Sequence, residues 1–299
     1  MTTGPAAVAT SRRWLVLVAM TGSLSMIMLD QTVVSVALPT MAHDLPLSAH
    51  GQQWVVNAYV LAIAALVGLG GLAADLLGRA RAFRIGVTVF FLASAGCAFT
   101  PAGAAGELTI IALRALQGAG AALMIPVSAA VVMSVFPVNE RGRAMALYAG
   151  ISQVFLALGP LVGGLFTEYL SWRLVFLLNV PVGLATLVLV ALAKVPSTQV
   201  RSTVRPLDVV LVVGGLAMTT LAIQQAATWS WGSPLTLGLL AAGLAATAWF
   251  VLRQLRASDP LIQVRLFADR GFTGATVVMG LVQFGLLGIV LYSSGGRDS

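Results

Sequence analysis

The chain has 299 residues, of which 59% are apolar and 9% are charged, with a formal net charge of +7. Ordinary soluble domains are about 45–50% apolar, glycine included, and about 25% charged, so a soluble globular protein is excluded and the surplus apolar side chains must face lipid. The basic residues lie in short gaps between long apolar runs, which indicates membrane topology rather than a nucleic-acid partner.

Nine apolar segments are long enough to cross a bilayer as helices, because a hydrocarbon core of about 30 Å needs roughly 20 residues. They lie at 14–36, 54–74, 85–101, 108–136, 144–166, 174–193, 208–227, 235–252 and 271–292. The sequence carries no alternating strand pattern, so an all-α polytopic membrane protein is predicted. Arg12 and Arg13 resemble the start of an export signal, but eight further apolar segments follow, so the first segment is predicted to be helix 1.

The gaps between the segments alternate in their content of basic residues. Most of the 17 basic residues occur before helix 1 and in the gaps after helices 2, 4, 6 and 8. Cytoplasmic loops are enriched in arginine and lysine. We therefore expect a cytoplasmic N-terminus and, after nine crossings, a C-terminus on the outer side.

Two long polar gaps divide the chain, and both contain proline and several charges. The predicted units are an N-terminal tail at 1–13, a six-helix bundle at 14–193, a cytoplasmic linker at 194–207, an inserted helix pair at 208–252, a second linker at 253–270, and a final helix with its tail at 271–299. The single cysteine, Cys97, lies within an apolar run and is predicted to be a small core residue.

Asp30 and Arg114 are ionisable residues inside predicted spans, where a charge is costly unless it faces water or a partner. At a rise of about 1.5 Å per residue, Asp30 lies about 24 Å along helix 1 from its cytoplasmic start, and Arg114 lies about 9 Å from the outer start of helix 4. If these helices are neighbours, the two residues form a pair lining a cavity, in which protonation of Asp30 releases Arg114. Alternatively, Asp30 lies at the interface before Pro39, and Arg114 extends outward to water.

Glycine patterns predict close packing and turns at three places. Gly118 and Ala122 form a small-residue face on helix 4 that admits another helix backbone. In helix 5, a proline among small residues predicts a bendable, tightly packed segment. That cluster comprises Gly159, Pro160, Gly163 and Gly164. Between helices 2 and 3, an acid is followed by a tight turn and two bases. This loop comprises Gly71, Asp75, Gly78, Arg79 and Arg81.

Together these motifs resemble the major facilitator superfamily, and within it the fourteen-helix drug:proton antiporters of the EmrB/QacA type. The loop between helices 2 and 3 is similar to the signature loop of the superfamily. Residues 29–39 resemble the helix-1 motif of the fourteen-helix branch, and residues 114–120 resemble its helix-4 motif. The glycines and proline of helix 5 match the core of the antiporter motif, and residues 172–181 also resemble this branch.

The resemblance implies a major-facilitator N-terminal six-helix bundle, two linker helices and the first helix of an incomplete C-terminal bundle. It implies a proton-coupled antiporter that exports hydrophobic or cationic small molecules across the inner (cytoplasmic) membrane of a bacterium, as multidrug efflux proteins do. Asp30 and Arg114 would couple protons, the signature loop would gate the cytoplasmic side, and the helix-5 motif would favour antiport. A candidate substrate cavity comprises Trp54, Asn57, Tyr59, Gln117 and Gln153, although Trp54 and Tyr59 are equally expected as interfacial anchors. No cofactor is expected.

Three alternatives have different consequences for function. In the first alternative, the chain is a truncated, transport-inactive fragment of such a transporter, because transport needs the second half of the substrate cavity. In a variant of this alternative, the chain transports only together with a second chain that supplies the missing half. An enzyme is disfavoured, because His43 and His50 do not form a zinc-binding spacing and the sequence contains no hydrolase or phosphate-binding motif. A channel fits the composition, but nine unequal helices give no pore-like symmetry.

Overall fold

The computed structural model describes residues 10–195, 205–257, 260–261 and 263–295, and within these ranges the chain is helical without strands. The helices are α1 (Thr10–Asp44), α2 (Ala49–Leu77), α3 (Arg79–Ala98), α4 (Ala104–Val135), α5 (Val138–Tyr169), α6 (Arg173–Leu177), α7 (Asn179–Ala193), α8 (Pro206–Trp229), α9 (Pro234–Arg256) and α10 (Arg270–Gly295). A short 3₁₀ helix, Val264–Ala268, precedes α10. The predicted all-α fold is confirmed.

Eight helical spans in the described ranges are long and apolar enough to cross a membrane, and α6 with α7 counts as one of them. The ninth predicted segment falls in α10, which has a shorter apolar stretch at Arg270–Val282. The sixth segment is interrupted at Leu178, because Pro181 has no N–H to donate to the Leu177 carbonyl. These helices form a multi-pass membrane protein.

Helix α1 is longer at both ends than the sequence predicts. It begins at Thr10, inside the segment predicted as a tail, and it continues past Pro39 to Asp44. The continuation is stabilised by packing, because Met41 lies in the apolar core and Asp44 accepts a hydrogen bond of 2.9 Å from Nε1 of Trp172. Tertiary contacts therefore override the tendency of a proline to end the helix.

The first seven helices pack as one bundle in which α1 lies along α5, α2 and α3 lie along α4, and α7 lies against α1 and α3. Small residues permit the closest approaches. A Cβ atom at Gly118 of α4 would meet the backbone of Tyr59 in α2, and one at Gly120 would meet the backbone of Phe90 in α3. The small-residue face predicted on helix 4 thus lies at the contact between α4 and α2.

Helices α8 and α9 form a pair, and α8 packs against α2. Gly215 and Gly243 allow their backbones to approach closely. At the end of the pair that is predicted to be cytoplasmic, the buried Asp208 accepts hydrogen bonds from Arg253 Nε at 2.6 Å and from Gln254 Nε2 at 3.1 Å. This charged contact fixes the start of α8 to the end of α9.

Candidate functional site

A layer of polar side chains separates two apolar clusters in the core of the bundle. Along α1, one cluster ends at Ile27 and the other begins at Val33. The polar layer comprises Asp30, Ser94, Arg114, Gln117 and Asn179, each at most 2% exposed. Four helices contribute to it, namely α1, α3, α4 and α7. Since apolar side chains lie on both sides, every charge and amide in this layer must find its partners among the buried groups around it.

An ion pair forms the centre of the polar layer. Arg114 Nη1 donates to Asp30 Oδ2 at 2.6 Å, and both side chains are at most 1% exposed. The antiparallel helices α1 and α4 therefore bring the acid and the base to the same depth. This geometry excludes the alternative in which Asp30 is interfacial and Arg114 extends to water.

Two amides complete the hydrogen bonding of the Asp30 carboxylate. Oδ1 accepts from Gln117 Nε2 at 2.8 Å and from Asn179 Nδ2 at 3.3 Å. Asn179 Nδ2 also donates to Ser94 Oγ at 2.9 Å, and Ser94 donates in turn to the Phe176 carbonyl at 2.8 Å. The Asp30 side chain therefore has three donors, Arg114, Gln117 and Asn179, and all of them are buried.

Arg114 has further partners that remain when its carboxylate is neutral. Its Nε donates to the Val55 carbonyl at 3.0 Å, and Nη1 lies 2.8 Å from Gln117 Oε1. The guanidinium also lies 4.2 Å from the centre of the Tyr59 ring and 5.9 Å from that of Phe176. Arg114 can therefore keep part of its stabilisation if a proton on Asp30 weakens the ion pair.

Two of the five residues predicted for a substrate cavity lie beside the ion pair. Tyr59 and Gln117 are buried beside the ion pair, whereas Trp54 is half-buried and donates from Nε1 to His50 Nε2 at 2.8 Å. Asn57 and Gln153 are half-buried. None of the five lines the groove described next.

A lateral groove of about 440 Å³ lies over α1, between α5 and α7. Its wall includes Trp14 near the start of α1, Leu29 beside the ion pair, and Asn179 of the polar layer. Sequence reasoning included Asn179 in a family motif but did not predict its contact with Asp30 or its place in the groove wall. An amide within an otherwise apolar segment is the only signal in the sequence that pointed to it.

The signature loop forms the turn between α2 and α3. Gly78 has a φ of 83°, a left-handed conformation that favours glycine, and α3 begins directly at Arg79. The Asp75 side chain is exposed and makes no hydrogen bond or ion pair with the described residues. Arg79 is half-buried and Arg81 is exposed, whereas a Cβ atom at Gly71 would meet open space.

The glycines of α5 pack against α1 on one side only. A Cβ atom at Gly159 would clash with the Thr32 hydroxyl, and one at Gly163 would lie 3.0 Å from the Val33 carbonyl. A Cβ atom at Gly164 would meet nothing within 4 Å. Gly159 and Gly163 are therefore needed for the contact between the helices, while Gly164 is not.

Thr32 compensates for the hydrogen bond that Pro160 removes from α5. Proline cannot donate to the carbonyl four residues earlier, which here is that of Leu156. The Thr32 hydroxyl lies 2.9 Å from this carbonyl and 3.3 Å from the Leu29 carbonyl of its own helix. The shorter contact joins α1 to α5 at the proline.

We expect Thr32→Val to lower the free energy of unfolding in detergent by about 1–2 kcal/mol, because the Leu156 carbonyl loses its donor. In a Pro160→Ala background the same substitution is expected to cost less, since the N–H of residue 160 can then bond to Leu156. Unfolding curves of the four variants measure the difference. An equal cost in both backgrounds would show that the hydroxyl does not serve the carbonyl left by Pro160.

Comparison with known proteins identifies the family. Residues 20–294 match the profile of the Major Facilitator Superfamily. The puromycin resistance protein pur8 of Streptomyces alboniger is 38% identical over 287 residues, which are 94% of this chain and 55% of that protein. The tetracenomycin C resistance and export protein of Streptomyces glaucescens is 34% identical over 286 residues, which are 95% of this chain and 52% of that protein. The chain thus spans about half the length of these curated relatives.

Solved transporters share the fold at low sequence identity. The peptide transporter POT in complex with sulfate gives a TM-score of 0.59 at 17% identity, covering 83% of this chain and 53% of that one. A D-xylose-proton symporter gives a TM-score of 0.51 at 18% identity, covering 80% of this chain and 67% of that one. With the family profile matched over most of its length, the chain belongs to the Major Facilitator Superfamily.

Proposed function

We propose that the chain is a proton-coupled antiporter of the fourteen-helix drug:proton branch, which exports hydrophobic or cationic small molecules across the cytoplasmic membrane of a bacterium. The observation that carries this proposal is the ion pair of Asp30 and Arg114 inside an apolar bundle. An ionisable pair at this depth is costly to keep, which favours a functional role. The resistance and export functions named for the relatives support efflux.

The polar layer supplies an element that responds to a proton. While Asp30 is ionised, it holds Arg114 and the two amides in one arrangement. A proton on the carboxyl group removes the charge that Arg114 faces and weakens the hydrogen bonds to Oδ1 and Oδ2. Arg114 keeps its hydrogen bonds to the Val55 carbonyl and to Gln117. The polar layer can therefore adopt a second arrangement at a moderate cost in free energy. Exchange of a proton for substrate requires two such states.

We assign supporting roles to the two glycine motifs because they resemble motifs of the family. The signature loop from Gly71 to Arg81, with Asp75 and Arg79, would act as a latch at the cytoplasmic side. The segment from Gly159 to Gly164 would favour antiport by holding α5 close to α1. The predicted cytoplasmic N-terminus places Arg12, Arg13 and the signature loop on the same side of the membrane.

Efflux from intact cells tests this function. Cells that express the chain are loaded with ethidium, which is a cation, or with Nile red, which is uncharged, and dye loss is followed with and without a protonophore. We expect dye loss that stops when the proton gradient collapses. Dye loss at the rate of cells that lack the chain, with the chain present in the membrane fraction, would contradict export by this chain alone.

A second candidate is that these helices export only with further helices from a second chain. The curated relatives that the chain matches are about twice its length, which favours this candidate. Co-expression with the C-terminal half of the puromycin resistance relative tests it. Export that appears only on co-expression would support it, and export by the chain alone would reject it.

A further inference from the structure

Protonation of Asp30 creates a requirement that the polar layer does not meet in the arrangement seen here. The three side chains that bond to the carboxylate all donate to it: Arg114 donates to Oδ2, and Gln117 and Asn179 donate to Oδ1. A protonated carboxyl group carries an O–H donor, and a buried donor without an acceptor is costly. Asp30 is only 1% exposed, so the nearest source of an acceptor is the set of side chains that already touch it.

Two of these three side chains are unable to supply the acceptor. Arginine has no acceptor atom. The Gln117 amide is held in its orientation because its Oε1 lies 2.8 Å from Nη1 of Arg114, and a reversed amide would set an N–H group against the guanidinium. The Tyr59 hydroxyl, which belongs to the ring that lies over Arg114, has no hydrogen-bond partner among the described residues, so it does not reach the carboxylate.

Asn179 differs from Gln117 because both of its hydrogen bonds can reverse. Its Nδ2 donates to Oδ1 of Asp30 at 3.3 Å and to Oγ of Ser94 at 2.9 Å. If the amide flips, the carbonyl oxygen of Asn179 takes the place of Nδ2 and has lone pairs for two donors. One donor is then the O–H group of Asp30. The other is the hydroxyl of Ser94, which can accept or donate as it rotates.

We propose that Asn179 is an amide switch that accepts a hydrogen bond from protonated Asp30. One proton from water binds to Oδ1 of Asp30 and none is released, the Asn179 amide flips to accept the new O–H group, and Ser94 turns to donate to the same oxygen. Oδ1 still accepts from Gln117, and Oδ2 still accepts from Arg114. Both carboxyl oxygens of Asp30 and its proton thus have partners in the neutral state. The proposal deepens the proposed antiport, on which it rests, by naming the side chain that distinguishes neutral from ionised Asp30.

The other charged and titratable groups around the site leave the proton to Asp30. Arg114 of α4, Tyr59 of α2 and Cys97 of α3 face it. Helix α7 carries no charged side chain, those of α5 lie near its two ends, and Arg173 of α6 is 37% exposed. Arginine stays charged, and tyrosine and cysteine are neutral near neutral pH. A proton taken up at this level of the bundle therefore goes to Asp30.

The switch carries the change at Asp30 to the backbone of α6. Ser94 donates to the Phe176 carbonyl at 2.8 Å, close to the interruption between α6 and α7. When the Ser94 hydroxyl turns towards Asn179, this carbonyl loses its side-chain donor. The interruption already lacks one backbone hydrogen bond, so we expect it to bend more easily when Asp30 is neutral.

Infrared difference spectra on acidification of the purified chain in phosphatidylcholine nanodiscs test the switch. The chain has three asparagines, Asn57, Asn139 and Asn179, so a heavy carbon isotope in the side-chain carbonyl of asparagine marks few groups. We expect the labelled C=O band of Asn179 to move to lower wavenumber, because its oxygen gains two donors. The shift should follow the same pH dependence as the C=O band of protonated Asp30, which is identified by its loss in unlabelled Asp30→Asn.

Matched variants assign the shifted band and test the part played by Ser94. The band should be lost in Asn179→Leu and kept in Asn139→Leu, because Asn139 is exposed at the start of α5. Ser94→Ala removes one of the two new donors, so the shift should be smaller than in the wild-type chain. Ser134→Ala is its control, because the Ser134 hydroxyl donates to a carbonyl of its own helix at 2.8 Å, and it should leave the shift unchanged.

The outcomes separate the switch from the antiport function. An asparagine band that does not shift while the Asp30 band appears would overturn the switch and leave proton uptake by Asp30 standing. A shift of equal size in Ser94→Ala and the wild-type chain would also overturn it. Unfolding before any Asp30 band appears would reject both. The full shift in a chain that shows no proton-driven dye export would support the switch and reject antiport.

Discussion

Asp30→Asn is expected to abolish export driven by a proton gradient while leaving the chain folded in the membrane. The asparagine side chain has nearly the same shape and can still accept from Arg114, but it cannot take up a proton. Export of Nile red or ethidium from vesicles that are acid outside measures the effect, and the rate should fall to that of protein-free vesicles.

Glu168→Gln is the matched control for this substitution. It also replaces a carboxylate by an amide on a spanning helix, but Glu168 is exposed near the end of α5. We expect export at the wild-type rate. Proton-driven export that survives in Asp30→Asn would remove Asp30 from the mechanism.

Arg114→Met is expected to lower the free energy of unfolding in detergent by about 3–5 kcal/mol, as is usual when one partner of a buried ion pair is removed. The Asp30 carboxylate would keep only the amides of Gln117 and Asn179 as donors. In the double variant with Asp30→Asn, no buried charge is left without a partner. This double variant should therefore be more stable than Arg114→Met alone.

Arg173→Met is the control for this stability measurement. Arg173 is 37% exposed and lies 3.8 Å from Asp44, a distance typical of a weak surface ion pair. Its loss should cost less than about 1 kcal/mol. Additive effects of the Asp30 and Arg114 substitutions would contradict an energetic coupling between the two side chains.

The pairing of Asp30 with Arg114 was predictable from the sequence because it depends on few quantities. Segment ends, topology and the rise of an α-helix give the depth of each charge, and burial in lipid demands a partner. That helices 1 and 4 are neighbours was a condition of this prediction, which the structure supplies. The sequence also predicts close helix packing at Gly118, because a small residue in a spanning helix commonly marks the place where a second helix backbone approaches. Close packing of α5 at Gly159 and Gly163 was predicted from the sequence, but its partner helix α1 was not, and Gly164 takes no part in this contact.

The surroundings of the other polar residues in the spanning helices were not predictable in the same way. A polar side chain in an apolar helix either lines a cavity or satisfies another buried group, and helical periodicity does not distinguish the two. Tyr59 and Gln117 belong to the second class, because they surround Arg114. The groove over α1 is lined mainly by apolar side chains, which the sequence does not distinguish from lipid-facing ones. The third donor to Asp30, Asn179, depends on how α7 packs against α1.

A proton on Asp30 can be observed most directly by infrared titration of the purified chain. A protonated carboxyl group in an apolar environment has a C=O stretching band separate from those of ionised carboxylates. We expect this band to appear on acidification of the folded wild-type chain, to be missing in Asp30→Asn and to remain in Glu168→Gln. The same band in Asp30→Asn, or unfolding of the wild-type chain before any such band appears, would contradict a proton-accepting role for Asp30.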